Sequence, residues 1–222
     1  MNDDVYGIKK WGNDILEILE NGNIGLKNPF HPDNSPADLI KIIKSLNERG
    51  ISCPVLLRVT DYLAFRIKQI NNSFFRAIRE IRYKGEYKGV FPVKVNQQAQ
   101  VIDRIVEFGK EFDFGLEVGS KPELLIALAH DLSANSTIIC NGIKDREFIN
   151  LAILSIKIGF KTILVLESLR DLDLIINISK ELYVLPLLGI RVKLTNKVSG
   201  NWSQSSGDRS AFGLSVEQVM EV

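Results

Sequence analysis

Lys94 has the setting in this chain best suited to covalent chemistry. It stands near the C-terminal end of GVFPVKV (89–95), a short apolar run that reads as a strand. Such a strand is expected to be largely buried, and a lysine within it loses hydration, which favours the neutral amine. A neutral amine is the form that adds to a carbonyl carbon to give a Schiff base. The competing account is a lysine stem running along a strand end with its ammonium in water. A second candidate is the polar stretch TNKVSGNWSQSSGDRSAFG (195–213). Ser205, Ser206 and Gly207 there offer hydroxyls and backbone amides to a phosphate or carboxylate, unless the stretch is simply a serine-glycine surface loop. His31, His130, Cys53 and Cys140 form no cluster, so no zinc site is expected. Both histidines read as structural or solvated and both cysteines as buried thiols.

The elements that must position Lys94 repeat at roughly 25-residue spacing. Apolar runs at 89–95, 114–119, 136–142, 161–167 and 185–194 alternate with amphipathic stretches. Val101, Ile102, Ile105 and Val106 share one helical face, and Phe148, Ile149, Ala152, Ile153 and Ile156 share another. Ser120-Lys121-Pro122-Glu123 and Ser215-Val216-Glu217-Gln218 have capping-box spacing, which accounts for Glu123 without catalysis. Alternating strands and helices predict α/β architecture with a parallel sheet. About five βα units over 87–222 predict part of a (β/α)8 TIM-type barrel, since a whole one takes about 250 residues. The chain is therefore expected to be truncated before the later strands. The alternative is an open doubly wound sheet. Residues 1–86 read as a small N-terminal α+β extension: turns at Asn21-Gly22-Asn23 and Asn28-Pro29, then helices from Ala37 and Asp61. Leu39, Ile42, Ile43 and Leu46 mark the apolar face of the first of these.

Composition narrows the function classes. The chain has 28 Lys+Arg against 27 Asp+Glu among 222 residues, and 45% of its residues are hydrophobic. A balance this even supplies no long-range field for nucleic acid or an anionic membrane. The first residues do not form a secretory signal, and no apolar run approaches the ~18 residues of a membrane helix. A cytoplasmic protein with reduced thiols is expected.

The ordered set GVFPVKVNQQAQVIDRIVEFGKEFDFGLEVGSKPELLIALA, IICNGIKDREFINLA, LGIRVKL and SGNWSQSSGDRSAFGL resembles biosynthetic arginine decarboxylases, and YGIKKWGND fits their N-terminal segment. These are pyridoxal-phosphate enzymes of the fold-type III barrel class. The resemblance covers nearly the whole chain. It implies that Lys94 holds pyridoxal 5'-phosphate, and that Glu117 and Arg191 match the acid after strand two and the arginine of strand five that lie near the cofactor. On the residues alone, Arg191 could equally form an interior ion pair, with Glu117 as the possible partner. The resemblance further implies L-arginine as substrate, agmatine and carbon dioxide as products feeding polyamine synthesis, a homo-oligomer, and magnesium. It also places a ring-stacking histidine, a phosphate-binding glycine loop, a ring-nitrogen acid and a C-terminal β domain beyond Val222, so the chain alone is expected to be inactive. It could associate with that missing C-terminal portion. Ornithine or diaminopimelate as substrate, a non-catalytic cofactor-binding or regulatory paralogue, and a barrel without the cofactor remain alternatives.

Overall fold

The computed structural model describes residues 5–193, 210 and 212–222. The chain divides into two compact units, Met1–Ile70 and Asn71–Val222.

In the first unit, α1 (Ile8–Trp11) precedes an antiparallel sheet of β1 (Leu16–Ile18), β2 (Ile24–Leu26) and β3 (Ala37–Asp38), followed by α2 (Leu39–Glu48). Asn21-Gly22-Asn23 turns β1 into β2, with Gly22 at φ 82°. The Asp38 carboxylate ties that turn to the start of α2. Its Oδ2 accepts from the side-chain amides of Asn21 and Asn23 at 3.1 and 2.9 Å, and its Oδ1 caps the helix through Ile40 N and Lys41 N. The Asn23 hydrogen bond leads the effects that hold its pKa down at about 2. Leu39, Ile42, Ile43 and Leu46 are half-buried, as the periodicity predicts. Helix α3 (Thr60–Glu80) runs through the division between units. Its second half groups with the second unit, where Phe74 stacks on Tyr87 and Phe75 lies beside Phe112. The contact boundary thus precedes the 86/87 position at which the sequence changes character.

The second unit is a five-stranded parallel sheet in the order β4 (Val90–Pro92), β5 (Gly115–Val118), β6 (Thr137–Cys140), β7 (Lys161–Leu166) and β8 (Leu187–Ile190). Helices α4 (Ala99–Gly109), α5 (Lys121–Leu128), α6 (Arg146–Lys157) and α7 (Leu169–Leu182) make the crossovers, and α8 (Val216–Glu221) comes last. This is the α/β, βα-repeat architecture expected. Strand order follows sequence order, as in a barrel wall and unlike a doubly wound sheet, whose order reverses at a switch point. Ile102, Leu124, Phe148, Ile149, Ile153, Ile175 and Ile178 from the helices meet Leu116, Val118, Ile138, Leu164 and Leu166 from the strands in one core. Burying each side chain of this kind contributes about 1.5–3 kcal/mol. Caps fix where the helices begin: Ser120 for α5, Asp145 for α6, Ser168 for α7 and Ser215 for α8. Edge strand β8 leaves Leu187, Leu188 and Ile190 exposed. Among the described residues, no helix is long and apolar enough to cross a membrane.

Candidate active site

The C-terminal ends of the parallel strands open into a cleft of about 720 Å³. Lys94, Glu117, Glu123, Asn141, Gly142, Arg191 and Phe212 are among its walls. All three residues implied by the resemblance, Lys94, Glu117 and Arg191, come together here.

The setting of Lys94 differs from expectation. Strand β4 ends at Pro92, and Val93–Val95 form a 3-10 turn. Val93 takes the buried position, whereas the Lys94 side chain is 64% exposed. The loss of hydration expected for a lysine inside an apolar strand is therefore absent. The tight turn redirects the side chain into the cleft, where Nζ lies 3.9 Å from Glu117 Oε1.

Glu117 is the penultimate residue of β5 and is only 7% exposed. Asn141, just past β6, donates its amide to Glu117 Oε1 at 2.9 Å. Glu117 Oε2 is buried with no hydrogen-bond partner among the described residues. A buried carboxylate oxygen without a donor is costly, so it marks a place where a ligand donor fits. Glu123, by contrast, is fully engaged in fixing the start of α5. Its Oε2 accepts from Gly119 N at 2.8 Å and its Oε1 from the Ser120 hydroxyl at 3.0 Å, one residue short of the Ser120 N–H that the expected capping box would use, while the Ser120 cap itself forms.

Arg191 pairs with Glu167 rather than Glu117. Its Nη1 lies 3.1 and 3.2 Å from the two Glu167 oxygens, and its guanidinium sits over the Phe212 ring at 5.0 Å. Glu167 Oε1 also accepts from Gly142 N at 2.6 Å. Gly142 has φ +76° and abuts the Gly119 carbonyl, where an added Cβ would lie 2.7 Å away. Behind this turn, Lys144 is buried with Nζ 2.7 Å from Gly142 O and 3.8 Å from Asp171 Oδ2. Burial pushes the Lys144 amine below the usual lysine range, and Asp171 and Glu167 oppose that shift. Cys140 is buried alongside, its thiol pushed up to about 12 by burial.

The sequence reasoning passed over Asn141, Gly142, Lys144 and Glu167. Their signal was position, since Asn141, Gly142 and Glu167 immediately follow apolar strands, where barrel sites are built. Cys53 is exposed, not buried, because it lies in a connecting segment outside any packed strand or helix. His31 is exposed in its turn. His130 caps the end of α5 through Ile126 O and pairs with Asp103. Ser205, Ser206 and Gly207 lie outside the described residues. Among the described residues no cluster of three or more His, Cys, Asp or Glu side chains could hold a metal ion.

A charged cleft at the C-terminal ends of successive parallel strands, with a lysine beyond the first, defines a β/α-barrel enzyme scaffold. Residues 67–222 match the family model described as pyridoxal-dependent decarboxylase, pyridoxal binding domain. The chain belongs to that family, and its βα units are part of the fold-type III barrel. It is 44% identical over 219 residues to the biosynthetic arginine decarboxylase of Gloeobacter violaceus, covering 99% of this chain and 34% of the relative. Against that of Prochlorococcus marinus strain MIT 9312 the identity is 46% over 215 residues, 97% of this chain and 33% of the relative. The crystal structure of the Campylobacter jejuni biosynthetic arginine decarboxylase superposes with a TM-score of 0.83 at 34% identity, over 97% of this chain and 34% of that one. A diaminopimelate decarboxylase structure from M. jannaschii shares the fold at 22% identity, TM-score 0.66, over 95% of this chain and 44% of that one. The chain thus spans about a third of the length of the curated relatives it matches.

Proposed function

We propose that this chain contributes the lysine-bearing wall of a pyridoxal-phosphate arginine decarboxylase, with Lys94 as the residue that carries the cofactor. The observation behind this reading is the approach of the Lys94 amine to Glu117 within one cleft of a pyridoxal-binding domain. The fit to an aldehyde cofactor rests on two groups. An accessible amine stands ready to bond, and the buried Glu117 Oε2 has an acceptor position to fill. When bound, the cofactor supplies an electron sink for the pair left behind as an α-carboxylate departs as carbon dioxide.

The chain's own residues then divide the remaining work. Lys94 would hold the cofactor aldehyde through its amine, and its 3-10 turn sets the direction of that side chain. Glu117, oriented by Asn141, holds positive charge or a proton beside that amine. Arg191, held by Glu167 and laid over Phe212, presents a fixed cation at the far side of the cleft. Arginine as substrate is carried over from the similar arginine decarboxylases of Gloeobacter and Prochlorococcus, and loss of its carboxylate as carbon dioxide gives agmatine.

Two measurements test the reading. Pyridoxal phosphate followed by borohydride should label one peptide at Lys94, and Lys94→Ala should abolish that label. Labels scattered over surface lysines would overturn the assignment. Carbon dioxide release, with this chain joined to the remaining length of a relative, should favour arginine over ornithine and diaminopimelate. Preference for either competitor would reassign the substrate.

A further inference from the structure

Lys144 has no place in the roles above, yet it is the most deeply buried cation among the described residues, its side chain fully enclosed. Burying an ammonium is costly, and replacing a buried ion pair by apolar groups of similar volume is often neutral or stabilising. Its placement therefore points to what it holds. Nζ donates to Gly142 O at 2.7 Å and faces Asp171 Oδ2 at 3.8 Å. That same Asp171 oxygen accepts from Glu167 N and Ser168 N, at 2.9 and 3.2 Å. Gly142 N in turn donates to Glu167 Oε1, the oxygen that also meets Arg191. Asn141, adjacent to Gly142, aims its amide at Glu117 while its own N–H bonds to Val118 O. One enclosed ammonium thus links the ends of β5, β6 and β7 through a single two-residue turn.

We propose that Lys144 is a positioning residue: by clamping the Gly142 carbonyl against Asp171, it sets the Asn141 amide on Glu117 Oε1, the carboxylate oxygen that faces Lys94. This rests on the proposed function only insofar as Glu117 serves the cofactor; the clamp itself is a property of the chain. Lys144→Met keeps the stem and removes the donor. In the cofactor-free protein, hydrogen exchange at Gly142 N–H should accelerate at least about tenfold, the worth of one charge-assisted hydrogen bond. The Ile138 and Leu164 amides of the strand interiors should keep their protection. Exchange at Gly142 unchanged in the variant overturns the clamp, whether or not the cofactor binds.

The link to Glu117 is read from a double-mutant cycle on pyridoxal phosphate affinity, followed by the visible absorbance of the bound cofactor. Lys144→Met and Asn141→Ala should each weaken binding about tenfold, and the double variant no more than either alone. Multiplicative losses, about a hundredfold together, would show that Lys144 acts elsewhere. If Lys144→Met does not fold, Lys144→Met with Asp171→Asn removes both charges and carries the same expectations. A wild-type protein that takes up no cofactor would sink the proposed function, while the Gly142 exchange result would still decide the clamp.

Discussion

Replacing Glu117 by glutamine is expected to stabilise the cofactor-free protein while weakening cofactor capture. In the native site, Oε1 keeps the Asn141 amide at 2.9 Å, whereas Oε2 is buried and unmet among the described residues. An unsatisfied buried acceptor costs about 1–3 kcal/mol, more when the group is charged. The opposing attraction comes from Lys94 at 3.9 Å. Coulomb's law gives that pair about 1 kcal/mol at the dielectric constant of water. The lysine is 64% exposed, and pairs with such a solvated partner yield about 0–1 kcal/mol.

Glutamine keeps the volume and a carbonyl for Asn141 and removes the buried charge, while its NH2 puts unmet donors where Oε2 was an unmet acceptor. Only the extra cost of the charge is relieved, a gain of about 1 kcal/mol, which for a chain of this length raises Tm by about 2–4 °C. Thermal unfolding followed by circular dichroism measures it directly. Affinity for pyridoxal phosphate, followed by the absorbance of the bound cofactor, should fall at least about tenfold if Glu117 supports a positive charge beside the amine. A variant that melts below wild type and binds the cofactor equally well would refute both halves of this reasoning.

Two further perturbations follow from the same geometry. Asp38 has its carboxyl held down at about 2, chiefly by Asn23. A depressed carboxyl contributes stability that is present above its unfolded value, about 4, and is lost as pH falls through 2. Trp11 fluorescence should report loosening of the first unit across that window, and Asp38→Asn should flatten the pH dependence there; identical acid profiles would count against the Asn21–Asn23–Asp38 link. Gly142→Ala introduces a Cβ 2.7 Å from the Gly119 carbonyl at a φ of +76°, and left-handed backbone alone costs about 1–2 kcal/mol. Its urea midpoint should drop accordingly and the Arg191–Glu167 pair should loosen; an unchanged midpoint would show that the turn can relax freely.

Much of the barrel wall was legible because its strands are short, apolar and evenly spaced, so each run read as a strand of one parallel sheet. The helix faces were equally plain: Val101, Ile102, Ile105 and Val106 all lie buried in α4. The N-terminal segment was expected to be α+β, but strands β1 to β3 were not located because two or three residues carry no measurable alternation. The setting of Lys94 was misjudged for a related reason. Composition marks 89–95 as one apolar run, but the 3-10 turn after Pro92 is a local backbone choice that hydrophobicity does not encode. Glu167 and Arg191 are 24 residues apart, and only the parallel register of β7 against β8 brings them together. Likeness of sequence found Arg191 without finding its partner, and it was the partner that settled between pairing with Glu117 and pairing elsewhere.

The cleft and the turn behind it gather four acids and three bases, and the way they are engaged distinguishes scaffold from chemistry. Glu123 has both oxygens committed to the start of α5. Glu167 is committed to Gly142 N and Arg191, and Lys144 to Gly142 O and Asp171. Those contacts fix backbone turns and hold a cation still, which is the work of a support that must not move during reaction. One acceptor, Glu117 Oε2, and one donor, the Lys94 amine, stand outside this mesh among the described residues, and they belong to adjacent strand ends. The amine lies 3.9 Å from Glu117 Oε1, the oxygen that Asn141 already engages, and its exposure to solvent keeps it free to bond to something else.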